Sequence, residues 1–349
     1  MNIKPIKIGK KNVGNNYPCY IIAEIGSNFD GSLSLAKKLI KLAKKCGADA
    51  AKFQVFTTEN LISRRGFEQK NAFQKKWKKS VWDVYKNAEF PRDWHTELNS
   101  YSKKLGIDFF TSPWDFDAVD SLVKLKAPAI KIGSGDITYL EILKYIGSKN
   151  LPILLATGAS TLEEISIAVK TIKSTGNNKI ILMQSITQYP SKISDANLKV
   201  LQTLKNKFNL NVGYSDHSPG SLVPLSSVAL GACVIEKHFT LDPKMSGPDH
   251  PHSMSPDSFE SMVKKIRVLE NALGTGVKKV EISEKQTNVI QRRGIWSIEP
   301  INKGEKFTRE NIRSLRPVRG LSSSNYEKLI GKISKRNLSK FQPLTKKDL

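Results

Sequence analysis

Two of the five histidines, His217 and His238, sit just past short strand-like runs, N-V-G-Y before the first and A-C-V-I-E before the second. Between them, Ser221 to Gly231 is rich in Leu, Val, Ala and Ser and has the length of one crossover helix. That is a βαβ pattern, whose strands must be parallel. Parallel neighbours deliver their C-terminal ends to one face, so the two imidazoles can meet there. Neutral imidazoles suit a borderline divalent metal. For either histidine alone the alternative is a hydrogen-bonded structural role. The pairing, with Asp216 and Glu236 adjacent, is what favours a metal.

The positioning elements repeat that alternation. Apolar runs at 20–25, 50–56, 108–112, 129–133, 152–157, 179–186, 211–214 and 232–237 are separated by segments long enough for crossovers. Pro256–Leu273 supplies a last helix, and Thr161 with Glu164 has capping-box spacing. Fully apolar strands in βα alternation predict an α/β fold, a closed (β/α)8 TIM barrel; a doubly wound open sheet is the alternative. Glu24, Lys52, Ser112, Lys131, Ser134, Tyr189, Ser215, His217, Glu236 and His238 all fall at or just beyond strand C-termini. Those ends form the mouth of such a barrel, where active sites lie. A charge isolated among apolar residues is costly unless paired or used, so Lys52 and Lys131 taken singly are as compatible with structural ion pairs. Residues 57–91, containing Trp77 and Trp82, exceed a simple connector and suggest a lid or binding surface.

At 349 residues and 39% hydrophobic content, the chain suits a barrel plus a small appendage. We divide it into a barrel at 1–275, a polar linker at 276–290 and a small β-rich domain at 291–349. Within the last, 301–312 and 338–349 share a twelve-residue pattern, with Lys third, Thr eighth and Asn or Asp eleventh between apolar ends. A duplicated turn-and-strand element is expected. The net charge of +24 raises nucleic acid as a partner. The Lys residues are interleaved with apolar positions on helix-like segments such as 36–45, however, which describes solvated helix faces. No nucleic-acid partner is expected, and a field that concentrates a small anion is the better reading. No stretch approaches about 18 uncharged apolar residues, so no membrane span is expected. With no signal-type block and three cysteines without metal spacing, the expected location is cytoplasmic.

With these residues in place, the chain resembles the sialic acid synthase family along nearly its whole length. The matching motifs are A-E-I-G-S-N at 23–28, K-F-Q at 52–54, S-P at 112–113, K-I-G-S-G at 131–135 and Y-P at 189–190. They continue with G-Y-S-D-H at 213–217, E-K-H-F-T at 236–240 and G-P-D-H at 247–250. The resemblance implies a TIM barrel joined to a C-terminal antifreeze-like (SAF) domain. It implies condensation of phosphoenolpyruvate with an N-acylated mannosamine-type sugar to a nonulosonic acid. His217 and His238 would hold the metal, Mn2+ with Mg2+ or Co2+ as alternatives. Glu24 would handle protons, with Lys52 and Lys131 as the catalytic cations. Lys52, Lys131, Ser112, Ser134, Tyr189 and Ser215 would cradle phosphate and carboxylate. Gln54 and Glu236 would position the sugar or metal-bound water, and Asp249 would orient the sugar or a ligand. His250 and His252 would be rim or outer residues. Arg316, in L-R-P, matches an arginine that reaches the sugar's N-acyl group across a domain-swapped homodimer.

Four positions depart from the family pattern: Phe29, Ala156, Thr187 and Asp136. They are expected to surround the ligand site, with Thr187 and Asp136 still on substrate, and they leave the acceptor sugar open. The competing functions are another phosphoenolpyruvate-dependent 3-deoxy-ulosonate synthase and a non-catalytic carbohydrate-binding relative.

Overall fold

The computed structural model describes residues 3–70, 74–75 and 77–349. Residues 71–73 and 76 of the 57–91 excursion lie outside the described residues, as do residues 1–2 of the N-terminal lead. The chain divides into two units, Met1–Gly274 and Thr275–Leu349.

The first unit opens on a hairpin, β1 (Ile6–Ile8) and β2 (Lys11–Val13), in a stretch whose sequence suggests only a polar lead. Its turn uses Gly9 at φ +55, where a Cβ would stand 2.5 Å from the Asp108 carboxylate. Only glycine meets both conditions there. Eight further strands follow: β3 (Tyr20–Gly26), β4 (Ala50–Val55), β5 (Asp108–Pro113) and β6 (Ile130–Ile132), then β7 (Ile153–Ala156), β8 (Ile180–Ser185), β9 (Asn211–Asp216) and β10 (Val234–His238). Each expected run is a strand, to within two residues at either end. They form one sheet in the order β5-β4-β3-β10-β9-β8-β7-β6, with parallel pairing throughout. The two end strands, β5 and β6, pack against each other and bring the sheet round to a nearly closed barrel.

Helices cover the outside. Leu33–Lys45 buries Ala36, Leu39, Ile40 and Ala43 on one face, and Ser32 caps it by accepting from the Leu35 N–H. Leu162–Lys173 starts at the capping box expected at Thr161 and Glu164. Pro256–Leu273 is the final helix. The β4-to-β5 excursion contains short helices at Thr58–Leu61 and Val81–Ala88 before the crossover helix Trp94–Leu105. Among the described residues no helix is long and apolar enough to cross a membrane. All three cysteines are free and buried.

In the second unit, part of the expected linker is helical, at Lys285–Gln291. β11 (Gly294–Ser297) and β12 (Ile312–Leu315) then pair antiparallel over a small core of Ile295, Ile301, Phe307, Ile312, Leu329, Leu338 and Leu344. The duplicated pattern is physical. In one copy the N–H of Asn302 donates to Glu305 and that of Thr308 to Asn311; in the other Ser339 donates to Gln342 and Thr345 to Asp348. The fourth position is left-handed in both, at Gly304 and Phe341. A strand follows only the first copy, as β12; the second ends in a 3-10 turn at Lys346–Asp348.

Candidate active site

Strand alternation decides what enters the barrel. Register places Glu24 of β3 beside Lys52 of β4 and His238 of β10, and Ser215 of β9 beside Glu236 of β10. Their side chains converge inside the mouth. Lys52 Nζ lies 2.6 Å from Glu24 Oε2 and 3.6 Å from Glu236 Oε1, and donates to Ser112 Oγ at 3.1 Å. Lys131 Nζ donates to Glu236 Oε1 at 3.0 Å, which Ser215 Oγ also approaches at 3.2 Å. Gln54 Nε2 donates to Glu24 Oε1 at 2.7 Å. Seven residues singled out in the sequence thus form one network of two cations, two carboxylates, two hydroxyls and an amide.

Burial drives the electrostatics. It lifts the Glu24 carboxyl to about 7, against the attraction of Lys52. Burial would raise Glu236 as well, but Lys131 and Lys52 outweigh it and hold that carboxyl below its usual range. Desolvation pulls the Lys131 ammonium down despite Glu236. For Lys52 the same penalty is overcome by Glu236 and Glu24, so its pKa is raised. The two Lys and two Glu nearly balance, and the group becomes net positive as Glu24 takes a proton. Such a setting favours an incoming anion and supplies a carboxyl that exchanges protons near neutrality.

Beside this network stands a group of imidazoles around Tyr189. Its ring centroid is 4.2 Å from that of His217, 6.1 Å from His238 and 5.1 Å from His252. His217 and His238 are 5.6 Å apart, so the pair expected from the sequence does meet. Burial holds His217 neutral, with its pKa lowered to about 3, and depresses His238 well below its ordinary value. His217 Nδ1 lies 2.7 Å from the Ile186 carbonyl and must donate to it, which leaves the Nε2 lone pair for a ligand. His238 Nδ1 and His252 Nε2 are buried without hydrogen-bond partners. Neutral imidazoles with uncommitted nitrogens and a neighbouring carboxylate fit a divalent ion. The described residues also contain a compact cluster, His238, Asp249 and His252, whose ligand atoms all lie within 4.8 Å of one another. His252, read from sequence as a rim residue, belongs to it.

Asp249 is held by Ser27, whose N–H and Oγ donate to Oδ2 at 2.9 and 2.8 Å. The register shift at the end of β3 and Gly26 at φ +55 make this approach possible, since a Cβ on Gly26 would meet Asp249 Oδ2 at 2.6 Å. Ser27 carries no signal beyond its place in A-E-I-G-S-N. Across the mouth, Ser134, Thr187 and Gly158 converge. Gly158 N–H donates to Ser134 Oγ at 3.0 Å, which leaves the hydroxyl proton free, and a Cβ there would strike both Ser134 and Thr187 at 2.8 Å. Asp136, half-buried just beyond β6, is lifted by burial to about 6. Phe29 is a different case from the other three departures. Its ring packs on Phe53, Phe90 and Trp94 in an aromatic cluster at the foot of the crossover helix. It is a core residue and leaves the mouth unchanged. Arg316 follows β12 in the second unit and is exposed.

A barrel with paired lysines, carboxylates and imidazoles at its mouth defines a class of enzyme-like sites for small anions. The chain belongs to the NeuB family, whose model matches residues 39–278, and the SAF domain model matches 292–349. A Campylobacter jejuni protein named N,N'-diacetyllegionaminic acid synthase is 42% identical, the match covering 91% of this chain and 96% of the relative. A protein named pseudaminic acid synthase from the same species is 36% identical over 94% and 95% of the two chains. The crystal structure of an N-acetylneuraminic acid (sialic acid) synthetase from Leptospira borgpetersenii, in complex with citrate, superposes with a TM-score of 0.74. It is 32% identical and covers 81% of this chain and 95% of its own.

Proposed function

We propose that the protein condenses phosphoenolpyruvate with an N-acylated amino sugar, giving a sialic-acid-like nonulosonic acid and phosphate. The observation that carries this is the Glu24–Lys52–Lys131–Glu236 network at the barrel mouth beside the imidazole group. Lys52 and Lys131 neutralise the carboxylate and phosphate of the donor, and Ser112, Ser134, Ser215, Thr187 and Tyr189 supply directional hydroxyls. Asp136, just beyond β6, is assigned to the same substrate. C3 of phosphoenolpyruvate attacks the aldehyde carbon of the open-chain sugar, forming the new C–C bond as the aldehyde oxygen takes a proton. Water then adds to the cationic C2 and gives up its proton, for which Glu24 is the group poised near neutrality. Collapse of the tetrahedral centre breaks the bond between C2 and the phosphate oxygen while the C2 hydroxyl passes its proton to the departing phosphate, giving the ketone and phosphate. Gln54 holds Glu24, and Glu236 and Asp249 orient the sugar.

His217 and His238 would hold a divalent ion, with Mn2+ as the first candidate. When bound, such an ion supplies Lewis-acid polarisation of the sugar carbonyl. The relatives named legionaminic and pseudaminic acid synthases favour a 2,4-diacetamido acceptor over N-acetylmannosamine. Arg316 is assigned to the acyl group of that sugar in the neighbouring subunit of a domain-swapped homodimer. Mixing Arg316→Ala with Glu24→Ala protein should then restore activity through mixed dimers, and confirmed subunit exchange without rescue would remove the cross-subunit role. A cytoplasmic location fits the free, buried cysteines.

The test is to incubate protein, Mn2+ and phosphoenolpyruvate with a panel of N-acylated hexoses and to follow phosphate. Release that depends on one sugar, with the label of 18O water entering the keto product and none entering phosphate, is expected. No release with any sugar would favour a non-catalytic carbohydrate-binding role.

A further inference from the structure

The segment Asp249–Ser253 presents an imidazole that the proposed chemistry leaves unused. We propose that His252 is a further ligand of the metal centre, so that His252, with Asp249 beside it, joins the His217–His238 pair. This rests on the function above only in placing the ion at His238.

Three observations carry it. The ligand atoms of His238, Asp249 and His252 lie within 4.8 Å of one another, and the two rings stand 4.8 Å apart, closer than His217 and His238. His238 Nδ1 and His252 Nε2 are both buried and both lack a hydrogen-bond partner. Interior polar atoms nearly always have one, so orphan nitrogens on two adjacent rings call for an occupant. Finally, Asp249 offers a carboxylate oxygen at a ligand's spacing. Ser27 occupies Oδ2, and Oδ1 stands 3.9 Å from His252 Nε2. That is too long for a hydrogen bond. It suits two donors sharing an ion, because bonds of about 2.0–2.2 Å place neighbouring ligands roughly 3–4 Å apart.

The neighbouring residues hold this arrangement in advance of any ion. His250 bonds Thr240 Oγ1 through Nδ1 at 2.6 Å and Asp30 through Nε2 at 3.1 Å. Ser253 Oγ donates to the Asp249 carbonyl at 2.6 Å and accepts from Asn28 Nδ2 at 2.9 Å. Anchors therefore lie between the two ligands and immediately after them. Such preorganisation lowers the ordering cost of binding. A nitrogen-rich donor set also sets a preference, since imidazoles favour Co2+ and Zn2+ over Mg2+.

The experiment uses full-length, metal-stripped protein without substrates. Mn2+ is titrated against the spin-resonance signal of the free ion, and Co2+ against its visible absorption. His252→Ala and the shape-preserving His252→Asn should each weaken Mn2+ by at least about tenfold, the scale known even for groups one shell out from a metal. Both should lower the preference for Co2+ over Mg2+, with circular dichroism and melting unchanged. Mn2+ affinity within twofold of wild type in both variants, alongside a clear loss in His238→Ala, would remove His252 from the site. No binding by wild type at millimolar ion would overturn the centre altogether. An intact titration with no phosphate release under any sugar would instead sink the proposed reaction and leave the metal site standing.

Discussion

The strands β9 and β10 carry two buried ion sets on opposite faces, separated by one residue of alternation. Outward, register pairs Asp216 with Lys237, both about 1% exposed. Lys237 donates to Asp216 Oδ2 and to the Ser218 carbonyl, and Asp216 Oδ1 accepts from the Ser218 N–H. That pair is closed: each charge meets an opposite charge and a backbone group. Inward, Glu236 and His238 face the mouth, where Glu236 Oε2, His238 Nδ1, His252 Nε2 and Ser185 Oγ are buried without hydrogen-bond partners. Burial and charge are alike in the two sets, and saturation differs. A buried polar atom left open costs free energy, so an open set persists where something else binds it. The outward pair has the saturation of a structural ion pair, and the inward set has the open valences that the proposed substrates and ion would fill.

That contrast predicts opposite phenotypes for two lysines. Lys131→Met should lower kcat/KM for phosphoenolpyruvate by about a thousandfold, the scale of one preorganised donor at a reacting oxygen. Its melting point should move little, because Lys52 and Ser215 still face Glu236. Lys237→Met should do the reverse. It leaves Asp216 charged and buried, at a cost of about 3–5 kcal/mol in denaturant unfolding, with kcat/KM of the folded fraction kept within about threefold. Adding Asp216→Leu should recover most of the stability, since an apolar pair of similar volume replaces a buried ion pair at little cost. Exchange of the two phenotypes would break the distinction between closed and open sets.

The sequence made the strands legible because each is an apolar run of strand length, and the polar or charged residues that interrupt such runs fall mostly towards their C-terminal ends, a pattern that barrel topology turns into a mouth. Glu24, Lys52, Lys131 and Glu236 stand out for the same reason. Their mutual distances were not readable, since they depend on how the sheet curves. The N-terminal hairpin was missed because I-K-I and K-N-V are three-residue strands around Gly9, too short for periodicity. His252 was placed at the rim because a loop histidine gives no period at all; its position comes from His250 and Ser253 tying the segment down. Phe29 was expected at the ligand site from its place after A-E-I-G-S-N. The chain turns there, and the ring joins the outward aromatic cluster instead.

That cluster contains a case that crosses the two categories. His95 lies outside the mouth, yet its ring is buried among Phe90 and Phe109 with no well-formed hydrogen bond, the Arg92 backbone giving it only weak support. Burial, with Arg92 adding to it, lowers its pKa to about 4. A depressed value means that the unfolded state binds the extra proton first. The associated stability is complete above about pH 6.5 and is lost as pH falls through 4, amounting to about 3 kcal/mol. His95→Phe should flatten that part of the acid unfolding curve and leave activity unchanged. An unaltered acid limb in His95→Phe would mean that the imidazole has a partner in solution, and this orphan would cease to be an exception.

The smallest expected effect lies within the open set, at Gln54. Its amide donates to Glu24 Oε1 and so favours the ionised carboxylate, opposing the burial that lifts Glu24 to about 7. If Glu24 exchanges the proton that limits turnover, kcat/KM should show a titration limb near pH 7 that disappears in Glu24→Gln. Gln54→Leu removes one donor to the charged form while Lys52 stays in place, so the midpoint should move upward, by less than about one unit. At a fixed pH on the limb this is less than a tenfold change in rate, so the full profile is needed to see it. A downward shift would mean that Gln54 supports the protonated form. A limb that survives in Glu24→Gln would point instead to Asp136, just beyond β6, whose carboxyl burial lifts to about 6.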